Sequence, residues 1–392
     1  MNRSLLWICL FIFLCITIQP VLAASEKQNF SLNPVLNHGK KWRIAYYEGG
    51  PYQNYPNSLK ALALALSKLG WMKKFSMPVF SDKTDSAKIW QWLCKNAKSD
   101  YIQFVADAYW SGNWNDALRK KNRDAALNRM RKTKDIDLML AMGTWAGQDF
   151  ANNEHSVPTV VISVSNPVSS NISKSIEDSG FDHLIARVDP DRYMRQLTLF
   201  YDAFHFKKLG IVYDRETQSG RSYAAIDDVE KSAIQNGFEV VACHVPSSNS
   251  SMSVTKADIV RCYTEIANNV DAVYITVHRG VTPDILPDIL APLYAKRIPT
   301  FSQQNSEAVR YGVLMSSAQT DFKFFARFYA ETIAKIFNGA KPRDLPQLFE
   351  EPSRIAINLK TAAIIGYDPP IDILGVADEI LKEIQDAPAS TE

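Results

Sequence analysis

Asp135–Val168 reads DIDLMLAMGTWAGQDFANNEHSVPTVVISVSNPV, and this stretch decides the fold. Two short apolar runs, Leu138–Met142 and Val157–Val164, flank a segment of helical length. The first run breaks at Gly143-Thr144, which opens a helix, and the second ends in polar residues from Ser163 to Asn166. That is the strand–turn–helix–strand order of a βαβ unit in a parallel sheet. Parallel strands bring their carboxyl ends, and the helix N-terminus beside them, to one sheet edge, where open α/β folds bind ligands. Thr144, Trp145, Ser165 and Asn166 are therefore expected to face one crevice.

The pattern repeats outward in both directions. Upstream, Trp42–Tyr47 reads as a strand and leads into a Gly-, Pro- and Tyr-rich loop, EGGPYQNYP. Ser58 then caps the helix SLKALALALSKLG, closed by Gly70. A short strand is expected near Met77–Phe80, a helix near Ser86–Ala97, a strand near Tyr101–Ala106 followed by the Trp-rich AYWSGNWND, and a basic helix over Ala117–Lys134. Downstream, a strand starts at Lys208-Leu209-Gly210-Ile211-Val212-Tyr213, and further strands follow at Phe238–Cys243, Ala272–Val277 and Pro299–Ser302. The helix over Pro283–Lys296 is expected to break or kink, because Pro287 and Pro292 remove backbone donors. Asp321–Gly339 is an amphipathic helix whose Phe/Tyr stripe belongs to a core, and Ile355–Asn358 reads as a final strand. The two halves echo each other, so the economical architecture is two Rossmann-like α/β lobes with parallel sheets and a cleft between them. The turns after Tyr47 (Glu48, Gly49), Met142, Val164, Tyr213, Val277 (His278, Arg279) and Phe301 (Gln303) would line that cleft.

The front of the chain addresses the compartment. Arg3 precedes the uncharged apolar run Leu5–Ile18, and Val21-Leu22-Ala23 offers small residues at a cleavage site. Residues 1–23 read as a secretory signal peptide that directs the chain to the periplasm. An uncleaved anchor is the competing reading. Ile12-Phe13-Leu14 before Cys15 does not fit a lipidation site. Residues 24–40 read as a flexible lead-in and 385–392 as a disordered tail. Lobe one is assigned to 41–165 plus 298–345, and lobe two to 166–297 plus 346–384. A net charge of +2 gives no case for nucleic acid. Cleavage would leave Cys94, Cys243 and Cys262. Cys243 and Cys262 fall in one lobe and could pair, but three separate buried thiols are the favoured state.

Catalytic and cofactor signatures are missing from the sequence: there is no G-x-S-x-G, Walker A loop, G-x-G-x-x-G or H-E-x-x-H, and no cysteine pair has zinc-ligand spacing. The six histidines are scattered singly. Only His278, at a strand end beside Arg279, is placed to meet a ligand.

DLMLAMGTWAGQDF…VPTVVISVSNPV, KKLGIVYDRETQS, VDAVYITV…IPTFSQQ…YGVLMSS, NGAKPRDLP and IAINLKTAAIIGYDPP together resemble the substrate-binding proteins of ABC importers of the tryptophan/tyrosine type. The resemblance spans roughly residues 42–375. It implies a hinged type I periplasmic binding fold, without cofactor, metal or catalysis. It also implies a small-molecule ligand, often an aromatic amino acid, and membrane partners comprising two permease subunits and two ATPases. A monomer is expected. Gly143-Thr144 matches the family's Gly-Thr turn, where a helix N-terminus suits a carboxylate. Tyr213, Glu216 and Ser219 match a second-lobe motif, with Gln218 where Asn is usual. Asn166 stands where Asp is usual, and His278-Arg279 where Asp-Asn is common. Acidic groups there would neutralise a ligand ammonium, and these replacements would not. A carboxylate-bearing or neutral ring compound therefore fits, with Tyr47, Tyr52, Trp145 and Tyr213 available to stack on it. A ligand sensor signalling to a membrane receptor and a secreted α/β enzyme are the alternative readings.

Overall fold

A computed structural model describes residues 29–80, 84–304, 306–317, 322–350 and 354–387. The signal-peptide assignment and the last residues of the tail lie outside the described residues.

The first sheet holds β1 (Trp42–Glu48), β2 (Ile102–Ser111), β3 (Leu138–Met142), β4 (Thr159–Ile162) and β5 (Leu184–Ala186) in the order β2-β1-β3-β4-β5. All of its pairings are parallel. Every residue of β3 and β4 is buried. That burial on both faces is why these strands read as unbroken apolar runs rather than alternating ones. The second sheet holds β6 (Lys208–Tyr213), β7 (Glu239–His244), β8 (Ala272–Ile275), β9 (Thr300–Ser302), β10 (Met315–Ser316), β11 (Ile355–Asn358) and β12 (Ala377–Leu381), ordered β12-β11-β10-β9-β8-β6-β7. Only the β10–β11 pairing is antiparallel there. The molecule is thus a pair of α/β lobes, each a largely parallel sheet packed with helices.

The sheets divide the chain elsewhere than expected. β5, assigned to lobe two, pairs with β4 in the first sheet, while β9 and β10, assigned to lobe one, pair within the second. A three-residue strand carries no pattern that says which sheet edge it will join. The helix Lys323–Phe337 returns to the first lobe, where Tyr329, Ile333 and Phe337 join the core of Ile44, Leu59 and Trp90.

Local differences have physical reasons. The helix expected to start at Ser58 runs Asn54–Lys68, and the Ser58 hydroxyl donates to the Asn54 carbonyl inside it. Pro56 falls in the first turn, where a missing N–H costs nothing. Met77–Phe80 is not a strand. Residues 29–40 are not a flexible lead-in: the Trp42 and Trp71 indoles donate to the Val35 and Leu32 carbonyls, and Phe30, Leu32 and Val35 pack on the first core. Gln385, placed in the tail, donates its amide to the Arg310 carbonyl. β12, a half-polar edge strand beyond the expected last one, had no apolar run to announce it. The segment expected to break at its prolines does not break there: after a tight turn over Pro283–Ile285, one helix runs Leu286–Ala295, with Pro287 in its first turn, where a missing N–H costs nothing, and Pro292 inside it.

Cys243 and Cys262 form a disulfide, with Cα atoms 5.5 Å apart, and Cys94 is free. Three separate thiols is therefore corrected. The helix Met252–Ile266 folds back along β7 and carries Cys262 to the end of that strand. Closing a loop of this length stabilises by about 3 kcal/mol in the chain-entropy account. Reduction of the folded chain is expected to lower its urea midpoint accordingly. Thiol titration of the unreduced mature chain should find one reactive group, and three would refute the pairing.

Candidate functional site

The carboxyl ends of both sheets face one another across a cleft that encloses a cavity of about 110 Å³. First-lobe walls come from Tyr52 and Tyr55 after β1, Trp114 after β2, Ser163–Ser165 after β4 and Arg187 after β5. Tyr193, Tyr223, Ser247, Arg279 and Gln303 form the opposite wall, and Phe322, Phe325 and Tyr329 close one end.

Three glycines make room for these walls. Gly143 caps the helix Thr144–Phe150 with φ 85° and ψ 175°. An added Cβ there would lie 1.8 Å from the Tyr55 hydroxyl oxygen. At Gly49 and Gly50, Cβ atoms would strike Trp145 and Trp114 at 2.9 and 2.7 Å. Trp114 itself has φ 54°, donates its indole N–H to the Pro51 carbonyl and meets Trp145 edge-on at 5.5 Å. The Arg119 guanidinium lies 4.5 Å over the Trp145 ring. Arg119 Nε donates to both oxygens of Asp149 at 3.0 Å, and Tyr47 Oη donates to the same carboxylate at 2.8 Å. Burial raises the Asp149 pKa against the pull of Arg119.

The thirteen positions expected at the site separate into groups. Ser165, Arg279 and Gln303 line the cavity. Gln303 braces it: its Oε1 accepts from the Val277 amide and its Nε2 donates to the Tyr223 carbonyl. Trp145 and Ser219 line a neighbouring interlobe cavity of about 420 Å³, beside Arg119 and Gln148. Thr144 is buried at the helix start, and its hydroxyl has no hydrogen-bond partner. Gly49 seats the tryptophan pair. The remaining side chains lie away from the cavity. Tyr47 is engaged by Asp149 in the core. Glu48 is sealed beneath the cleft, where burial pushes its pKa up to about 7 against the Tyr46 and Tyr109 hydroxyls that bond it. Asn166 Oδ1 accepts the Val168 and Ser169 amides and so builds a turn. Tyr213 packs edge-on against His244. Glu216 is exposed and pairs with Arg215. His278 turns inward, its Nε2 against the Val245 carbonyl and its Nδ1 accepting the Gly280 amide. Tyr55, Trp114, Tyr193, Tyr223, Arg187 and Arg192 also line the cavity and are not among the positions expected there from the sequence. Only the Trp-rich insertion carried a signal that could have pointed to one of them.

Polar contacts close the seam between the lobes. Ser219 Oγ donates to Gln148 Oε1 at 3.0 Å, and Ser170 and Ser222 hydroxyls meet at 2.6 Å. In the serine-rich loop, the Asn249 amide donates to the Trp114 carbonyl at 2.9 Å and its Nδ2 to Asp116 Oδ2 at 2.7 Å.

His155 and His278 are held near pKa 4, chiefly by burial. An unfolded histidine titrates near 6.5. Their contribution to stability is full above that value and is lost as pH falls toward 4, because the unfolded chain takes protons first. Glu48 acts oppositely in the same range, so the histidines are best followed singly. Their ring proton resonances are expected to stay unshifted from pH 8 to about 5; titration near 6.5 would show that these rings are not buried as described.

Among the described residues, the one group of metal-ligand type is Cys243, Cys262 and Glu265, and the disulfide consumes both thiols. No helix of the described residues is long and apolar enough to cross a membrane.

Two largely parallel α/β lobes that close on an enclosed cavity define a type I periplasmic binding protein. Residues 109–381 match the family described as ABC transporter substrate binding protein, and the chain belongs to that family. A tyrosine-binding protein of Clostridioides difficile (strain R20291) is 21% identical over 279 residues, covering 68% of this chain and 75% of that one. Among solved structures, an ABC domain in complex with L-Trp from Streptococcus pneumoniae superposes with a TM-score of 0.62 at 17% identity, over 87% of this chain and all (100%) of that one. A ligand-free, open substrate-binding protein with adhesive properties from Clostridium difficile gives 0.57 at 17% identity, over 87% and 99%.

Proposed function

We propose that this chain works in the periplasm, after removal of residues 1–23, as the monomeric receptor of an ABC importer. It captures a small aromatic compound bearing a carboxylate between its lobes. It hands this cargo to two permease subunits driven by two ATPases, and it catalyses no reaction. The observation that carries the reading is the composition of the interlobe cavity. Tyr52, Tyr55, Trp114, Tyr193 and Tyr223 offer ring faces, and Arg279 offers a cation. Aromatic faces around an enclosed space favour a planar ring, and a guanidinium fork favours a carboxylate. The tyrosine-binding relative and the L-Trp-bound neighbour support an aromatic cargo.

The test is a thermal-shift screen of the chain from Ala24 onward against L-tyrosine, L-tryptophan, L-leucine, aromatic carboxylates, nucleosides and sugars. A ligand at about 100 times its dissociation constant adds ~2.7 kcal/mol of stability. Upward shifts confined to aromatic compounds are expected. A shift with sugars or nucleosides alone would overturn the reading.

A further inference from the structure

One wall of the cavity holds a cation that no carboxylate among the described residues pairs. Arg279 is 8% exposed and lines the cavity. Its Nη2 donates to the Ser250 carbonyl and the Thr255 hydroxyl, both at 2.8 Å, and its Nε is buried without a partner. Among the described residues no carboxylate offsets the burial that draws its pKa below the ordinary arginine value. A buried guanidinium left unpaired is strongly unfavourable, because the solvation it loses is not replaced. That cost is recovered only if something negative arrives. Among the described lining residues there is no Asp or Glu, and Arg187 and Arg192 stand on the same cavity. An ammonium entering this space meets no carboxylate among the described lining residues.

We propose that Arg279 receives the carboxylate of the cargo, and that the cargo is an arene carboxylate without an α-ammonium, of the aryl-2-oxo acid or arylacetic acid type. This rests on the interlobe cavity being the importer's ligand site. Such a molecule puts its ring among Tyr55, Trp114 and Tyr223, and its only charge against the guanidinium. Arg279 also holds the Ser250 carbonyl, one residue from the Asn249 that reaches across to Trp114 and Asp116. The anion and the closing loop therefore share one side chain, and an occupied Arg279 sets the loop for closure.

The experiment is isothermal titration of the chain from Ala24 onward with 4-hydroxyphenylpyruvate, indole-3-acetate, L-tyrosine and L-tryptophan. It is repeated on Arg279→Gln and Arg279→Lys, with folding checked by circular dichroism. The two arene carboxylates are expected to bind at least ~10-fold tighter than the amino acid with the same ring. Arg279→Gln should weaken them by about 30-fold or more, the loss of a charged hydrogen-bonded contact, and Arg279→Lys by less. If Arg279→Gln does not fold, the ratio of 4-hydroxyphenylpyruvate to L-tyrosine affinity on the unsubstituted chain and the Lys variant decides. Amino acids binding as tightly as the carboxylates, or carboxylate affinity indifferent to Arg279→Gln, overturns the proposal while leaving an aromatic cargo in place. Failure of all four compounds overturns the aromatic cargo itself.

Discussion

Gly143→Ala is expected to cost roughly 3–5 kcal/mol of stability and to abolish ligand capture in whatever fraction still folds. Two independent penalties meet at this residue. Its backbone, at φ 85° and ψ 175°, occupies a region open essentially to glycine alone. A methyl group there would also fall 1.8 Å from the Tyr55 hydroxyl and 2.6 Å from the ring carbon bearing it. Tyr55 is a rigid ring in the first core and also a wall of the cavity, so it cannot yield without reshaping the site. A urea denaturation series on four proteins separates the terms: the unsubstituted chain, Gly143→Ala, Tyr55→Ala and the double variant. In the Tyr55→Ala background the glycine substitution should cost less, and the residue that remains is the backbone term. A loss below 1 kcal/mol for Gly143→Ala alone would mean that the helix does not start at this turn.

Asp149→Ala should rival it, with a loss of about 3–5 kcal/mol. The carboxylate is 6% exposed and is gripped by both Arg119 and Tyr47. Removing it strands the Arg119 guanidinium, whose side chain is 21% exposed, without its counter-charge. Because that guanidinium lies over Trp145, tryptophan fluorescence should change together with stability. The isosteric Asp149→Asn keeps hydrogen-bonding capacity and should cost less. Pairing Asp149→Ala with Arg119→Met should restore much of the loss, since an apolar pair replaces a broken ion pair. A double-variant loss equal to the sum of the Asp149→Ala and Arg119→Met losses would show that the ion pair carries no coupling.

Much of the fold was legible because parallel strands covered on both faces must be apolar throughout. Leu138–Met142 and Val157–Val164 could hardly be anything else, and glycine at 143 marked the helix start between them. Short strands were not legible in the same way. Leu184–Ala186, Thr300–Ser302 and Met315–Ser316 have their sheet decided by hydrogen-bond partners far along the chain. The candidate site was legible only at strand ends. Ser165, Arg279 and Gln303 follow strands directly and do line the cavity. Tyr193 and Tyr223 sit inside helices, where an aromatic residue facing a cavity looks no different from one facing a core. His278 shows the converse: a position after a strand fixes where a backbone goes, but its neighbour Arg279 took the cavity and the imidazole turned inward to the Val245 carbonyl. The disulfide could not be read because spacing alone does not show that the helix Met252–Ile266 doubles back along β7.

The seam between the lobes has a consequence for release. Its bonds join amides, hydroxyls, carboxamides and one carboxylate: Ser219 to Gln148, Ser170 to Ser222, and Asn249 to Trp114 and Asp116. When the lobes part, water can take over each of these partners, and such an exchange changes free energy by about 1 kcal/mol per neutral bond and about 2 kcal/mol for the one to the Asp116 carboxylate. A seam of leucines would hold the mouth shut whether or not anything lay inside. This one behaves like a wetted zip, nearly indifferent between its two positions. In the receptor role proposed above, the contents of the cleft would tip the balance, and an emptied receptor would fall open to be filled again.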